Sequence, residues 1–155
     1  MSKFVKFATW LESKTRLPEH LYHGGDQAFT TFQYQPGIPK RGFYFTPSFS
    51  IARNWALLES KDGFVKSVRL TAQNPKAIAS HSKLLSLRMT MGEEETIRMF
   101  QDQGFDSIVI DDPRNNEIEY VVFDPKHIQI LKKTEVSKAR SLKEDEDIAR
   151  SSGLL

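Results

Sequence analysis

The strand-like runs of this chain are short, unevenly spaced and closed by turns, and that limits what it can fold into. "LYHGG", "GFYF", "GFVKSVRLT", "NPKAI", "SIVI", "IEYVVF" and "HIQILK" each read as one extended segment bounded by glycine, proline or polar residues. Helical periodicity enters at three places. Phe4, Phe7, Ala8 and Leu11 recur at i, i+3, i+4 and i+7, which predicts a helix within residues 1–17 that closes before Pro18. Thr46-Pro47 predicts a second start, with Thr46 as the cap and Ile51, Trp55 and Leu58 along one face. Thr90 and Glu93 have the spacing of a capping box ahead of Ile97 and Phe100, and Gly104 is the stop. Helices that cluster early and midway, with strands pairing across distant segments, predict an α+β fold and not a regularly alternating parallel one.

The length suits one domain, placed at residues 1–133, followed by a charged tail at 134–155 ("KEDED") that is either a loosely packed helix or disordered. Apolar residues at 39% and charged residues at 27% describe a chain with a core. A net charge of +2 neither demands nor excludes a nucleic-acid partner. With no cysteine, disulfides, thiolate metal sites and a cysteine nucleophile are excluded. His20, His23, His81 and His127 fit no metal-ligand spacing, so no metal is expected. "GGDQ" lacks the helix and lysine of a phosphate loop. The start "MSKFVKFATWLESK" has no apolar run of signal-peptide length, and no stretch is long enough to span a membrane. The expectation is a cytoplasmic protein with no membrane partner.

Three stretches put polar or aromatic groups at the mouth of a strand, beside glycine or a turn: "LYHGG" at 21–25, "GFYFTPSFSIARNWA" at 42–56 and "NEIEYVVFDP" at 116–125. Taken singly, His23 reads as a structural hydrogen-bonder, Tyr44 and Trp55 as core, and Glu119 as a strand edge. Taken together and in this order, they resemble the ADP-ribosyltransferase superfamily, in its diphtheria-toxin and poly-ADP-ribose polymerase branch. That branch carries a His-Tyr-Glu triad on three separated strands, matched here by His23, Tyr44 and Glu119. Its second aromatic ring, eleven residues after the tyrosine, is matched by Trp55. The resemblance covers roughly residues 20–131, and the order and chain length look like small domains of phage and bacterial proteins.

The resemblance implies split antiparallel sheets, a β-sandwich with flanking helices. It also implies NAD+ as the substrate, with no metal. Cleavage of the nicotinamide–ribose bond passes through an oxocarbenium-like state, as glycoside cleavage does. Glu119 would stabilise that charge through the ribose 2'-hydroxyl. Tyr44 and Trp55 would stack on nicotinamide, the Gly24 backbone would bond its carboxamide, and His23 would hold the other ribose. Ala52 stands where the branch often has a small hydroxyl residue; Ser50, two residues earlier, is the candidate contact. Arg53, with Lys40 and Arg41, flanks the site and is a candidate for the pyrophosphate or a nucleic-acid acceptor. Glu117 lies two residues before Glu119, so strand alternation turns both carboxylates the same way. With Arg114 and Asn116 it forms the candidate acceptor surface.

The activity implied is mono-ADP-ribosylation of a macromolecule, protein or nucleic acid, since nothing resembles the long helical extensions of polymer-forming members. The setting suggested is conflict between phage and bacterium, as toxin, defence factor or phage effector, with an antitoxin or inhibitor as a candidate partner. The competing readings are a degenerate NAD-binding or interaction module, and an NAD+ glycohydrolase with water as acceptor.

Overall fold

The structure is a computed structural model that describes residues 17–18, 20–26, 28–34, 36–37, 40–112, 114 and 118–155. The helix expected within residues 1–17 lies almost wholly outside them. Two sheets carry the fold. The first is three-stranded and antiparallel, in the order β1 (Leu21–Gly25), β3 (Asp62–Leu70), β7 (Ile128–Ser137). The second runs β2 (Phe43–Phe45), β6 (Glu119–Val122), β5 (Ser107–Ile110), β4 (Pro75–Ile78); its last pair is parallel and the others antiparallel. Four helices flank them among the described residues: α1 (Phe49–Ala56), α2 (His81–Met91), α3 (Glu93–Asp102) and α4 (Leu142–Ser151). This is the α+β, split-sheet architecture that the sequence predicts.

Each apolar face has its cover. Leu21, Phe45, Val68, Leu70, Val109 and Val122 form the core between the two sheets, with Phe32 from the β1–β2 loop. The far face of the second sheet, through Ile108, Val121 and Phe123, packs on Leu84 of α2 and on Ile97 and Phe100 of α3. The far face of the first sheet is covered by α1 and α4.

Local chemistry departs from expectation at four points. Helix α1 is capped by Ser48, whose side chain accepts from the Ile51 N–H, and not by Thr46. Thr46 is fully buried and exchanges two backbone hydrogen bonds with Tyr22, which keeps it extended. The buried face of α1 is Phe49, Ala52 and Ala56; Ile51 and Trp55 are half-buried, and Leu58 is 73% exposed past the helix end. Glycines explain this choice. A Cβ on Gly24 would collide with the Ala52 carbonyl oxygen, and one on Gly63 would lie 2.6 Å from the Ala56 carbonyl oxygen. Helix and strands approach so closely that only small side chains fit between them.

Thr90 does not cap a helix. It lies inside α2 and its hydroxyl donates to the Ser86 carbonyl, while Gly92 at φ +86° separates α2 from α3. Finally, the boundary placed after residue 133 falls inside β7. Residues 134–137 complete that strand, and 142–151 form a helix opened by a capping box of Ser141 and Glu144. Helix α4 is docked through Ala149 against the core that α1 and β7 share.

Candidate active site

The two sheets touch at one bridge among the described residues, where Tyr22 and Thr46 exchange both backbone hydrogen bonds (2.8 and 3.0 Å). In an antiparallel ladder the next such pair would be Gly24 with Tyr44. It does not form. The Nδ1–H of His23 donates to the Tyr44 carbonyl oxygen at 2.8 Å instead, so a side chain takes the place of the backbone bond and the strands part. Alternation turns the Gly24 N–H and C=O to the same edge as those of Tyr22, which is the mouth of this split. A primary amide, with one acceptor and two donors, is the group that such a backbone pair can hold.

The side chains divide by face. His23 points into the core between the sheets, its ring edge-on to Phe32 at 4.9 Å and 5.6 Å from Phe45. Burial in this aromatic nest pushes its pKa down to about 4, against the hydrogen bond to Tyr44 and with help from the Lys66 cation. The ring is therefore neutral at physiological pH. With Nδ1 donating, Nε2 is the acceptor, suited to a hydroxyl.

Tyr44 and Glu119 lie on the opposite face. Tyr44 pairs with Val121, and Glu119 stands two residues along the same strand, so period-2 alternation puts both side chains on one side. Helix α2 covers that side. The Arg88 guanidinium donates to the Tyr44 hydroxyl at 2.8 Å and pairs with Glu93 at 3.0 Å. Burial raises the phenol above its ordinary pKa. The Glu119 carboxylate meets Nε2 of His81 at 2.7 Å.

The structure therefore sets His23, Gly24 and Tyr44 at the junction of the sheets, with the His23 side chain on one face and those of Tyr44 and Glu119 on the other. Trp55 and Ser50, both half-buried, belong to α1, which stands over Gly24. No ring contact joins Trp55 to Tyr44; they ride on different elements, α1 and β2. Arg53 takes another place from the one expected. Its Nε donates to Asp145 at 2.7 Å and its Nη2 to the carbonyls of Ser137 (3.1 Å) and Arg140 (2.8 Å). That guanidinium is committed to joining α1 to α4. Arg114 folds back on Asp112, with contacts of 3.1 and 3.0 Å, and its side chain and backbone N–H hold that carboxyl down to about 2. Glu117 and Asn116 lie outside the described residues.

Three residues near the site were not singled out in the sequence. Lys66 stands opposite His23 in the β1–β3 register, wholly buried, with its ammonium 3.9 Å from the Phe29 ring centre. Burial, with Lys133 beside it and Asp26 acting against, lowers its pKa to about 8. A signal existed: Lys66 falls in phase with Phe64, Val68 and Leu70. His81 and Arg88 carry no such signal because the apolar residues of α2 form no stripe.

Comparison with known proteins identifies the family. The model of a protein family described as ADP-ribosyltransferase in polyvalent proteins matches residues 16–137. No curated protein matches the chain.

Proposed function

Because the chain belongs to the ADP-ribosyltransferase family of polyvalent proteins, we propose that it cleaves NAD+ at the nicotinamide–ribose bond and transfers one ADP-ribose to a macromolecular acceptor. The observation that carries this reading is the parting of β1 and β2 at Gly24, with His23 bonded to the Tyr44 carbonyl and Glu119 beside Tyr44 on the face that α2 covers. Gly24 offers a backbone donor and acceptor to the carboxamide. Tyr44 and, from α1, Trp55 supply aromatic walls, and Ser50 a nearby hydroxyl. Neutral His23 accepts from a ribose hydroxyl through Nε2.

Glu119 accepts from the 2'-hydroxyl of the nicotinamide ribose. As the bond breaks, its electron pair leaves with the ring, and positive charge spreads over C1 and the ring oxygen. The Glu119 carboxylate stabilises that charge electrostatically. The acceptor then bonds to C1 and gives up its proton. The acceptor is a protein or nucleic acid, and Arg114, Asn116 and Glu117, just before β6 in the sequence, are the candidates to meet it. Glu117, two residues before Glu119 in the sequence, would orient an amine or guanidinium.

No helix among the described residues is long and apolar enough to cross a membrane. We place the protein in the cytoplasm, acting between phage and bacterium and held in check by an inhibitor partner. The test is incubation of the purified protein with labelled NAD+ and a lysate split into protein and nucleic-acid fractions. Label in one fraction, lost in Glu119→Gln, supports transfer. Free ADP-ribose alone would make it a glycohydrolase, and no release of nicotinamide would make it a binding module.

A further inference from the structure

We propose that His81 is a positioning residue for Glu119: its imidazole holds the carboxylate in the orientation that meets the ribose 2'-hydroxyl. The inference rests on the functional reading above.

Glutamate has three rotatable side-chain bonds, and Glu119 opens its strand, where little from the strand itself restrains them. The structure supplies the restraint from α2. Nε2 of His81 lies 2.7 Å from Oε2 of Glu119, the short distance of a charge-assisted bond. The Glu119 side chain is only 20% exposed, so water competes weakly for that oxygen. With Oε2 occupied by the imidazole N–H, Oε1 is left to accept from substrate.

The imidazole is itself held firmly. His81 is the first residue of α2, directly after the Ser80 cap, whose side chain accepts from the Lys83 N–H. Leu84, one turn on, is buried in the core under the helix. Arg88, seven residues on, is bonded to the Tyr44 hydroxyl. Helix α2 thus grips both site residues of the second sheet, Glu119 at its start and Tyr44 two turns later, across about 10 Å. The positive end of the helix also attracts a carboxylate beside it.

The experiment uses the whole chain and two substitutions. His81→Ala removes the donor. His81→Gln restores an N–H at similar reach. For His81→Ala the expected result is a fall of about 10-fold or more in kcat for NAD+ turnover, as for loss of a hydrogen bond to a charged group. Its KM for NAD+ should stay within about twofold, since substrate binding is not what the bond supplies. Its melting temperature should be held, and His81→Gln should recover most of the rate. Wild-type kcat in His81→Ala, or no recovery in His81→Gln, would overturn the proposal. A second measurement needs no turnover: the imidazole 15N spectrum of the wild-type protein should show Nε2 of His81 protonated, and a bare Nε2 would refute the bond. A wild-type protein that leaves NAD+ intact would sink the functional reading and the role that depends on it, while the 15N spectrum would still report whether the bond exists.

Discussion

The imidazole of His23 is bonded to the backbone carbonyl of Tyr44 at the residue where β1 and β2 cease to pair. One side chain thus closes the core and holds the mouth of the site open. Protonation would keep the Nδ1–H bond to Tyr44 but put a charge on a ring buried among aromatic side chains, at a desolvation cost. The folded pKa of about 4 lies below the usual 6.5, so between those values the unfolded chain binds a proton that the folded chain refuses. The stability contributed by neutral His23 is fully present above pH 6.5 and is lost as pH falls to about 4. The loss is roughly 3 kcal/mol, at about 1.4 kcal/mol per pH unit. Denaturant melts from pH 8 to 4 should show this slope, and His23→Asn, which keeps a donor for Tyr44, should remove it. An unchanged slope in the variant would assign the titration elsewhere.

Glu119→Gln keeps the shape of the side chain and removes its charge. Turnover of NAD+ should fall by about 10²–10³, with much less change in NAD+ affinity. Single-turnover kinetics beside a binding titration separates the two quantities. Near-wild-type transfer by the variant would show that the developing charge is stabilised by another group.

Gly24→Ala tests the contact of α1 with β1. The added methyl meets the Ala52 carbonyl oxygen, which is backbone and has no rotamer to yield. Destabilisation of at least about 1–3 kcal/mol is expected, as for overpacking elsewhere. Affinity for nicotinamide-like inhibitors should drop with it. A variant with wild-type melting and wild-type affinity would mean that α1 shifts freely.

Trp55 is half-buried and lies off the buried face of its helix. Its replacement by alanine should therefore cost less than the ~3–5 kcal/mol of a fully buried tryptophan. Inhibitor affinity should weaken by roughly 0.5–1.5 kcal/mol from the lost stacking, beyond area burial, and Trp55→Tyr should largely keep it. A folded Trp55→Ala protein with unchanged inhibitor affinity would remove this ring from the site.

The strands were legible because period-2 patterning and β-branched content are local signals; "SIVI" and "EYVV" appear as β5 and β6 with little change. Helix α2 was not. Its apolar residues run around the helix without forming a stripe: Leu84 is buried, while Leu85 and Met89 are 54% and 79% exposed. Missing α2 hid His81 and Arg88, whose partners lie 38 and 44 residues away. The buried face of α1 is obscured in the sequence for a similar reason. Ile51 and Leu58 look like a core stripe until Gly24 and Gly63 bring the backbones together and select Ala52 and Ala56. Arg53 looked like an anion binder because its acidic partner stands 92 residues further on.

That partner defines the last prediction. The Asp145 side chain is fully buried. Burial alone would raise its carboxyl, yet hydrogen bonds from Arg140, Arg53 and the Ser137 N–H bring it below the usual range. Removing one side of such a pair costs about 3–5 kcal/mol. Asp145→Ala should therefore melt well below wild type, while residual folded protein keeps its KM for NAD+. A lost KM at unchanged stability would return Arg53 to the substrate.

Helix α4 lies beyond residue 137, where the family match ends, yet through Asp145 it braces the helix that carries Ser50 and Trp55. A version trimmed to the matched span would keep every triad residue and lose the buttress behind one wall. Its defect would be loose aromatic packing around the ring rather than missing chemistry, and a minimal domain drawn from homology alone would misjudge where this site is held up.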